Sequence, residues 1–94
     1  MKKSIKNFPF TIGFLAEKTN MSKPTVRSWF KQALITSIGE NELGQPLFNN
    51  KSLREVEIIK GFREAGYELK KIKELKKKSS LESLEIQLKN MAKS

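Results

Sequence analysis

The chain contains no cysteine and no histidine. Their absence removes the usual zinc ligands, the thiol nucleophiles, any disulfide framework and the one side chain that titrates near neutrality unperturbed. No metal site, cofactor or catalytic triad is therefore expected. No apolar run approaches the roughly 20 residues of a membrane span, and Met1-Lys2-Lys3-Ser4-Ile5-Lys6 lacks the apolar centre of a signal peptide. A cytoplasmic protein, free in the cytosol or associated with nucleoid or plasmid, is expected. With 94 residues there is little room for an enclosed cleft, and the acidic residues are scattered through lysine-rich faces, so no enzyme is expected either.

What the chain has in excess is positive charge. Nineteen Lys and Arg against ten acidic residues give a net charge of +9, which on one small domain predicts polyanion partners, nucleic acid first and an anionic membrane second. The charge is densest from Lys70 to Lys78, where six lysines accompany one glutamate, whereas residues 79–94 balance two lysines with two glutamates.

Residues 1–10 read as a basic arm, with Lys2, Lys3 and Lys6, ending in Phe8-Pro9-Phe10, where proline disfavours helix for the residue before it. Thr11 is placed to cap a helix with Ile12, Leu15 and Ala16 on its apolar side, and Asn20 tolerates the left-handed turn that ends it. Ser22 caps a second helix with Pro24 in its first turn, turning Val26, Trp29, Phe30 and Ala33 inward. Lys23, Thr25, Arg27, Ser28 and Lys31 are left outward. Two short helices about a tight turn, the second basic and polar on its free face, make a helix-turn-helix of the kind that enters a DNA groove.

Residues 36–48 contain two glycines, one proline and short apolar pieces, and are expected as a β-hairpin, the wing of a winged helix-turn-helix. Asn49 caps a third helix with Leu53, Val56, Ile59 and Phe62 in its stripe, and Gly66 stops it. A fourth helix starts near Glu68 and buries Leu69, Ile72 and Leu75. After Ser79-Ser80, residues Leu81, Leu84, Leu88 and Met91 repeat with coiled-coil spacing over two heptads. So short a helix is stable only when packed, either against a second copy as a homodimer seam or back over its own domain. The expected fold is mainly α: a winged helix-turn-helix of about four helices with a small hairpin over residues 1–78, and a helical tail over 79–94.

In this order of elements, Phe10-Thr-Ile-Gly-Phe-Leu-Ala-Glu-Lys-Thr-Asn-Met-Ser-Lys-Pro-Thr-Val-Arg resembles the opening of the MerR superfamily DNA-binding domain. Leu43-Gly-Gln-Pro-Leu-Phe-Asn-Asn-Lys-Ser-Leu is similar to that family's wing exit, and Phe62-Arg-Glu-Ala-Gly-Tyr-Glu-Leu-Lys-Lys-Ile-Lys-Glu-Leu to its last two helices. The resemblance covers roughly residues 8–76. It implies double-stranded DNA as partner, with the second helix in the major groove and the wing on the flanking backbone or minor groove. Lys23, Thr25, Arg27 and Ser28 fall where the family touches DNA. Arg27 is the candidate for a base edge, because a guanidinium bridges the two acceptors of guanine; Thr25 and Lys31 suit phosphates. Lys70 and Lys71, at the start of the fourth helix, are candidates for flanking phosphates.

The wing departs from the family. Gln45, Pro46 and Phe48 stand where an aromatic, an arginine and a tyrosine are usual, and Glu40 and Glu42 add negative charge, which leaves Asn41, Gly44 and Gln45 as candidate contacts. No small-molecule effector is expected, and a protein partner is left open. Thr25-Val26, Trp29, Lys31-Gln32 and Asn41-Glu42-Leu43-Gly44 look closer to the chromosome-anchoring and partition branch, such as RacA, than to metal or drug regulators.

The function expected is sequence-specific DNA binding in transcriptional regulation. Two alternatives keep DNA as the partner: segregation or anchoring on repeated sites of chromosome or plasmid, and excisionase-like DNA bending. A protein-interaction or anionic-membrane module, using the lysine-rich helix and the leucine tail, is the alternative from another class.

Overall fold

The computed structural model describes residues 9–93, with the side chains of residues 92 and 93 excepted. The expected basic arm of Lys2, Lys3 and Lys6 lies outside the described residues. Five helices and one two-stranded hairpin follow in the order α1 (Ile12–Thr19), α2 (Lys23–Lys31), β1 (Gly39–Glu40), β2 (Pro46–Leu47), α3 (Asn50–Glu64), α4 (Leu69–Lys78) and α5 (Leu81–Lys93). They form two compact units, the first ending at Leu53 and the second starting at Arg54, with α3 continuous through the boundary. The division into 1–78 and 79–94 expected from the sequence is a different partition.

In the first unit, local caps set the helix ends. The Thr11 hydroxyl accepts from Phe14 N–H and starts α1; Asn20 ends it in the left-handed region at φ 59°. Ser22 then accepts from Thr25 N–H to open α2, so residues 20–22 form the whole turn between the two helices. The side of α1 and α2 turned from solvent buries Ile12, Leu15, Ala16, Val26 and Trp29, joined by Leu34, Ile35 and Phe48. Trp29 is thus a core residue. Thr19 is buried too, and its hydroxyl donates to the Leu15 carbonyl at 2.7 Å.

Ala33 does not follow the expected apolar stripe. Helix α2 ends at Lys31, and Ala33 is exposed with φ 64°, a left-handed turn residue rather than an inward one. Phe30 is half-buried, its ring meeting Phe48 edge to face at 5.4 Å. Phe48 also pairs through its backbone with Phe10, at 2.9 and 2.8 Å, which carries the chain before α1 into the sheet region.

The hairpin is shorter than residues 36–48. Its ladder is antiparallel and pairs Gly39 with Leu47 and Glu40 with Pro46. The Asn49 side chain accepts from Lys51 and Ser52 N–H at the start of α3, while Asn49 N–H donates to the Ser52 hydroxyl at 3.2 Å. That hydroxyl, fully buried, donates at 2.8 Å to the Thr36 carbonyl and so ties the base of the wing to α3's first turn.

In the second unit, Val56, Ile58, Ile59 and Phe62 of α3, Ile72 of α4 and Leu84 of α5 are buried. Gly66, at φ +97°, closes α3 as expected; Tyr67 N–H reaches back to the Phe62 carbonyl, and the two rings meet at 5.0 Å. Glu55 is only 3% exposed because the Lys76 ammonium bonds it at 3.1 Å. A buried carboxylate needs such a partner, since stripping its water costs several kcal/mol, roughly, when nothing replaces it.

The tail helix α5 packs on α3. The Ser80 hydroxyl caps it by accepting from Ser83 N–H. Arg54 donates two hydrogen bonds to Glu85, at 2.9 and 2.8 Å. That bidentate pair holds the Glu85 carboxyl below its ordinary range, chiefly through the hydrogen bond from Arg54, and raises the arginine correspondingly. Gly61 lies directly beneath Leu88: a Cβ there would stand 3.0 and 3.1 Å from its two methyls, so a residue without a side chain is what lets the helices close. The Tyr67 hydroxyl donates to the Met91 thioether at 3.8 Å.

Candidate nucleic-acid interface

The solvent side of α2 carries a row of cations. Lys23, Arg27 and Lys31 recur every four residues, so they climb one face of the helix over about 12 Å at 1.5 Å per residue. All three are exposed, and among the described residues no carboxylate pairs with them. No acidic residue occurs between Lys23 and Lys31. The row therefore offers a dense positive edge whose charges are not already spent within the protein.

Each cation is held differently. The stem of Lys23 lies against Gly13 in the first turn of α1: a Cβ on that glycine would stand 3.2 Å from the lysine Cε and 3.6 Å from Nζ. Lys23 thus lies along the first turn of α1. Arg27, one turn further on, extends from the middle of the helix. Lys31 lies in the last turn, where a cation is also favoured by the helix dipole.

The two hydroxyls of the site have local partners. Thr25 Oγ1 accepts from the Ser22 hydroxyl at 2.8 Å and keeps its own hydrogen to donate. Ser28 accepts from the Gln32 amide at 3.1 Å. Both sit beside the cation row with one side of the hydroxyl still available, Thr25 half-buried and Ser28 exposed.

The wing residues are arranged otherwise. The Asn41 side-chain oxygen accepts from Leu43 and Gln45 N–H, both at 2.9 Å, and its amide nitrogen donates to the Gln45 side-chain oxygen at 2.9 Å. Gly44 adopts φ +79°, open to glycine without strain, and its N–H bonds the Asn41 carbonyl. The polar groups that the sequence suggested for DNA therefore largely hold the turn itself. The turn also presents Leu43, 82% exposed, preceded by the exposed Glu40 and Glu42.

Lys70 and Lys71 are exposed in the first turn of α4. Cations there oppose the helix dipole, so their placement does nothing for the helix's own stability. Of the four expected seam residues, Leu84 is fully buried, Leu88 covers Gly61, Met91 meets Tyr67, and Leu81 is half-buried. At least three are thus occupied within their own unit. Packing back on its own domain was one of the two expectations for this tail, and Gly61 is what admits Leu88 to α3.

A two-helix turn with a capped, cation-lined second helix, followed by a short hairpin, defines a winged helix-turn-helix of the DNA-binding class. The family profile described as "MerR HTH family regulatory protein" matches residues 10–79, and the chain belongs to that family. It is 31% identical over 64 residues to an uncharacterized HTH-type transcriptional regulator of Haemophilus influenzae, covering 68% of this chain and 47% of that protein. Among solved structures it is similar to HiNmlR, described as a MerR family regulator lacking the sensor domain, bound to promoter DNA. That match has 29% identity and a TM-score of 0.64, covering 72% of this chain and 54% of the other. The chain thus spans about half the length of these relatives.

Proposed function

We propose that the chain is a sequence-specific double-stranded DNA-binding protein acting in transcriptional regulation, a binding protein rather than an enzyme. The observation that carries this is the row Lys23, Arg27, Lys31 on the second helix of a helix-turn-helix, with which no carboxylate pairs among the described residues. In this reading α2 lies in the major groove, Arg27 donates to the O6 and N7 of a guanine, and Thr25, Ser28, Lys23 and Lys31 hold phosphates on either side. Lys70 and Lys71 extend the phosphate contacts. Asn41, Gly44 and Gln45 contribute by fixing the shape of the wing. HiNmlR, similar in sequence and fold and solved on promoter DNA, supports both the partner and the regulatory role. That protein's description as lacking a sensor domain supports reading this chain as independent of a small-molecule effector. A homodimer through α5 completes the proposal, formed on faces that Leu84 and Leu88 do not occupy.

The test is to incubate the protein with sheared host DNA at near-physiological salt and sequence what it retains against input. Enrichment at a few inverted repeats beside promoters is the expected result. A tandem array on one replicon supports segregation instead, and no enrichment over input removes the sequence-specific reading.

A further inference from the structure

The wing carries chemistry that opposes DNA. From Ser37 to Leu47 it carries Glu40 and Glu42 and no basic residue, in a chain of net charge +9. Both glutamates are exposed, and neither forms an ion pair among the described residues. The hairpin also holds two exposed large apolar side chains, Ile38 at 55% and Leu43 at 82%. Ile38 immediately precedes β1 and its N–H bonds the Leu47 carbonyl at 2.8 Å, which places it at the base of the hairpin. The apex that lifts Leu43 is fixed by the hydrogen bonds of Asn41. A phosphate backbone repels the carboxylates of this projection and offers its apolar side chains no partner. The projection suits a surface that is cationic and apolar at once.

The same chain carries such a surface. The solvent face of α4 presents Lys70, Lys71, Lys77 and Lys78, all exposed, with Glu74 the one acid among them. Lysine stems are four methylenes long, so a lysine face covers apolar side chains while its ammonium groups meet carboxylates. Lys77 and Lys78 end the helix beyond the two lysines assigned above to phosphates.

We propose that the wing of one copy docks on the Lys77–Lys78 end of α4 in a second copy, Glu40 and Glu42 meeting the ammonium groups and Leu43 lying along the lysine stems. Such a contact joins different surfaces, so it propagates head to tail instead of closing on itself. Exposed ion pairs are individually weak. The contact forms when DNA lines copies up and raises their effective concentration, and it appears as cooperative binding.

The experiment compares a duplex that holds one copy with one that holds many, for the parent, Glu40→Lys/Glu42→Lys, Lys77→Glu/Lys78→Glu, and the chain carrying all four changes. All four positions are exposed, and far-UV circular dichroism confirms folding. The parent is expected to bind the long duplex with a Hill slope above one, each double variant with a slope of one, and the four-fold variant with the parent's slope restored. A parent without cooperativity, double variants that keep it, or a four-fold variant that fails to regain it overturns the proposal. So does a Glu40→Lys/Glu42→Lys variant whose only change is tighter, more salt-sensitive binding to both duplexes, which puts the wing on DNA. The absence of native cysteine gives a second readout independent of DNA affinity. Oxidising a mixture of Leu43→Cys and Lys78→Cys chains on long DNA or at high protein concentration is expected to give the mixed covalent pair in excess over either self-pair. Self-pairs in equal yield overturn the contact even if DNA binding itself has failed.

Discussion

Replacing Leu84 by alanine tests whether α5 belongs to the folded unit or waits for a second copy. Leu84 is fully buried within the described chain, in a helix that Arg54, Gly61 and Tyr67 each engage. The change removes three carbons from a closed site; at roughly 0.8 kcal/mol per buried methylene this forfeits about 2.4 kcal/mol of transfer energy. The cavity left behind adds to that, within the range of about 2–5 kcal/mol found for buried Leu→Ala changes. A loss of about 3–4 kcal/mol is therefore expected, a large share of the total of about 5–15 kcal/mol available to a domain. Each kcal/mol lowers Tm by about 4–8 °C at this size. Urea unfolding followed by circular dichroism measures the loss, with Ile86→Ala, at 59% exposure, as the control expected to stay within about 0.5 kcal/mol. A loss below about 1 kcal/mol for Leu84→Ala, or one that varies with protein concentration, refutes the packing argument and returns Leu84 to a dimer seam.

Three further outcomes are expected. Ala33→Gly raises stability by about 0.5–1 kcal/mol, because Ala33 stands at φ 64°, where a Cβ is strained; a denaturant midpoint that falls contradicts it. Ser22→Ala lowers stability by about 1 kcal/mol through loss of the α2 cap, seen in the same assay. The Arg54–Glu85 pair gives a pH signature. Since Glu85 is held below its ordinary range in the fold, its contribution is present above the unfolded carboxylate range and disappears as pH falls through the lowered value. Parent and Glu85→Gln stability curves are thus expected to differ near neutrality and to converge in acid, and curves that stay parallel rule this linkage out.

Most helix ends were legible from local chemistry, although the left-handed turn at Ala33 was not. Thr11, Ser22, Asn49 and Gly66 mark helix ends through side-chain acceptors or left-handed backbone, and these depend only on neighbours within a few residues. The cation row on α2 was legible for the same reason, being a matter of helical period. What could not be read depends on contacts distant in sequence. Gly61 matters only because Leu88 lies above it, and the burial of Glu55 only because Lys76 reaches it. Ser52 is buried because its hydroxyl bonds Thr36, sixteen positions away. In the wing, Asn41 and Gln45 are DNA-contacting residue types, and the sequence did not show that the Asn41 side chain also accepts from two backbone N–H groups of the turn and donates to the Gln45 side-chain oxygen.

The central claim is that α2 reads base sequence through Arg27. The measurement that tests it most directly is fluorescence anisotropy of parent and Arg27→Ala on an enriched duplex and on variants with each guanine replaced. The account predicts a loss of about 1–3 kcal/mol for Arg27→Ala, together with lost discrimination at one guanine and unchanged preference elsewhere. Equal affinity, or a loss spread evenly over all sequences, contradicts it.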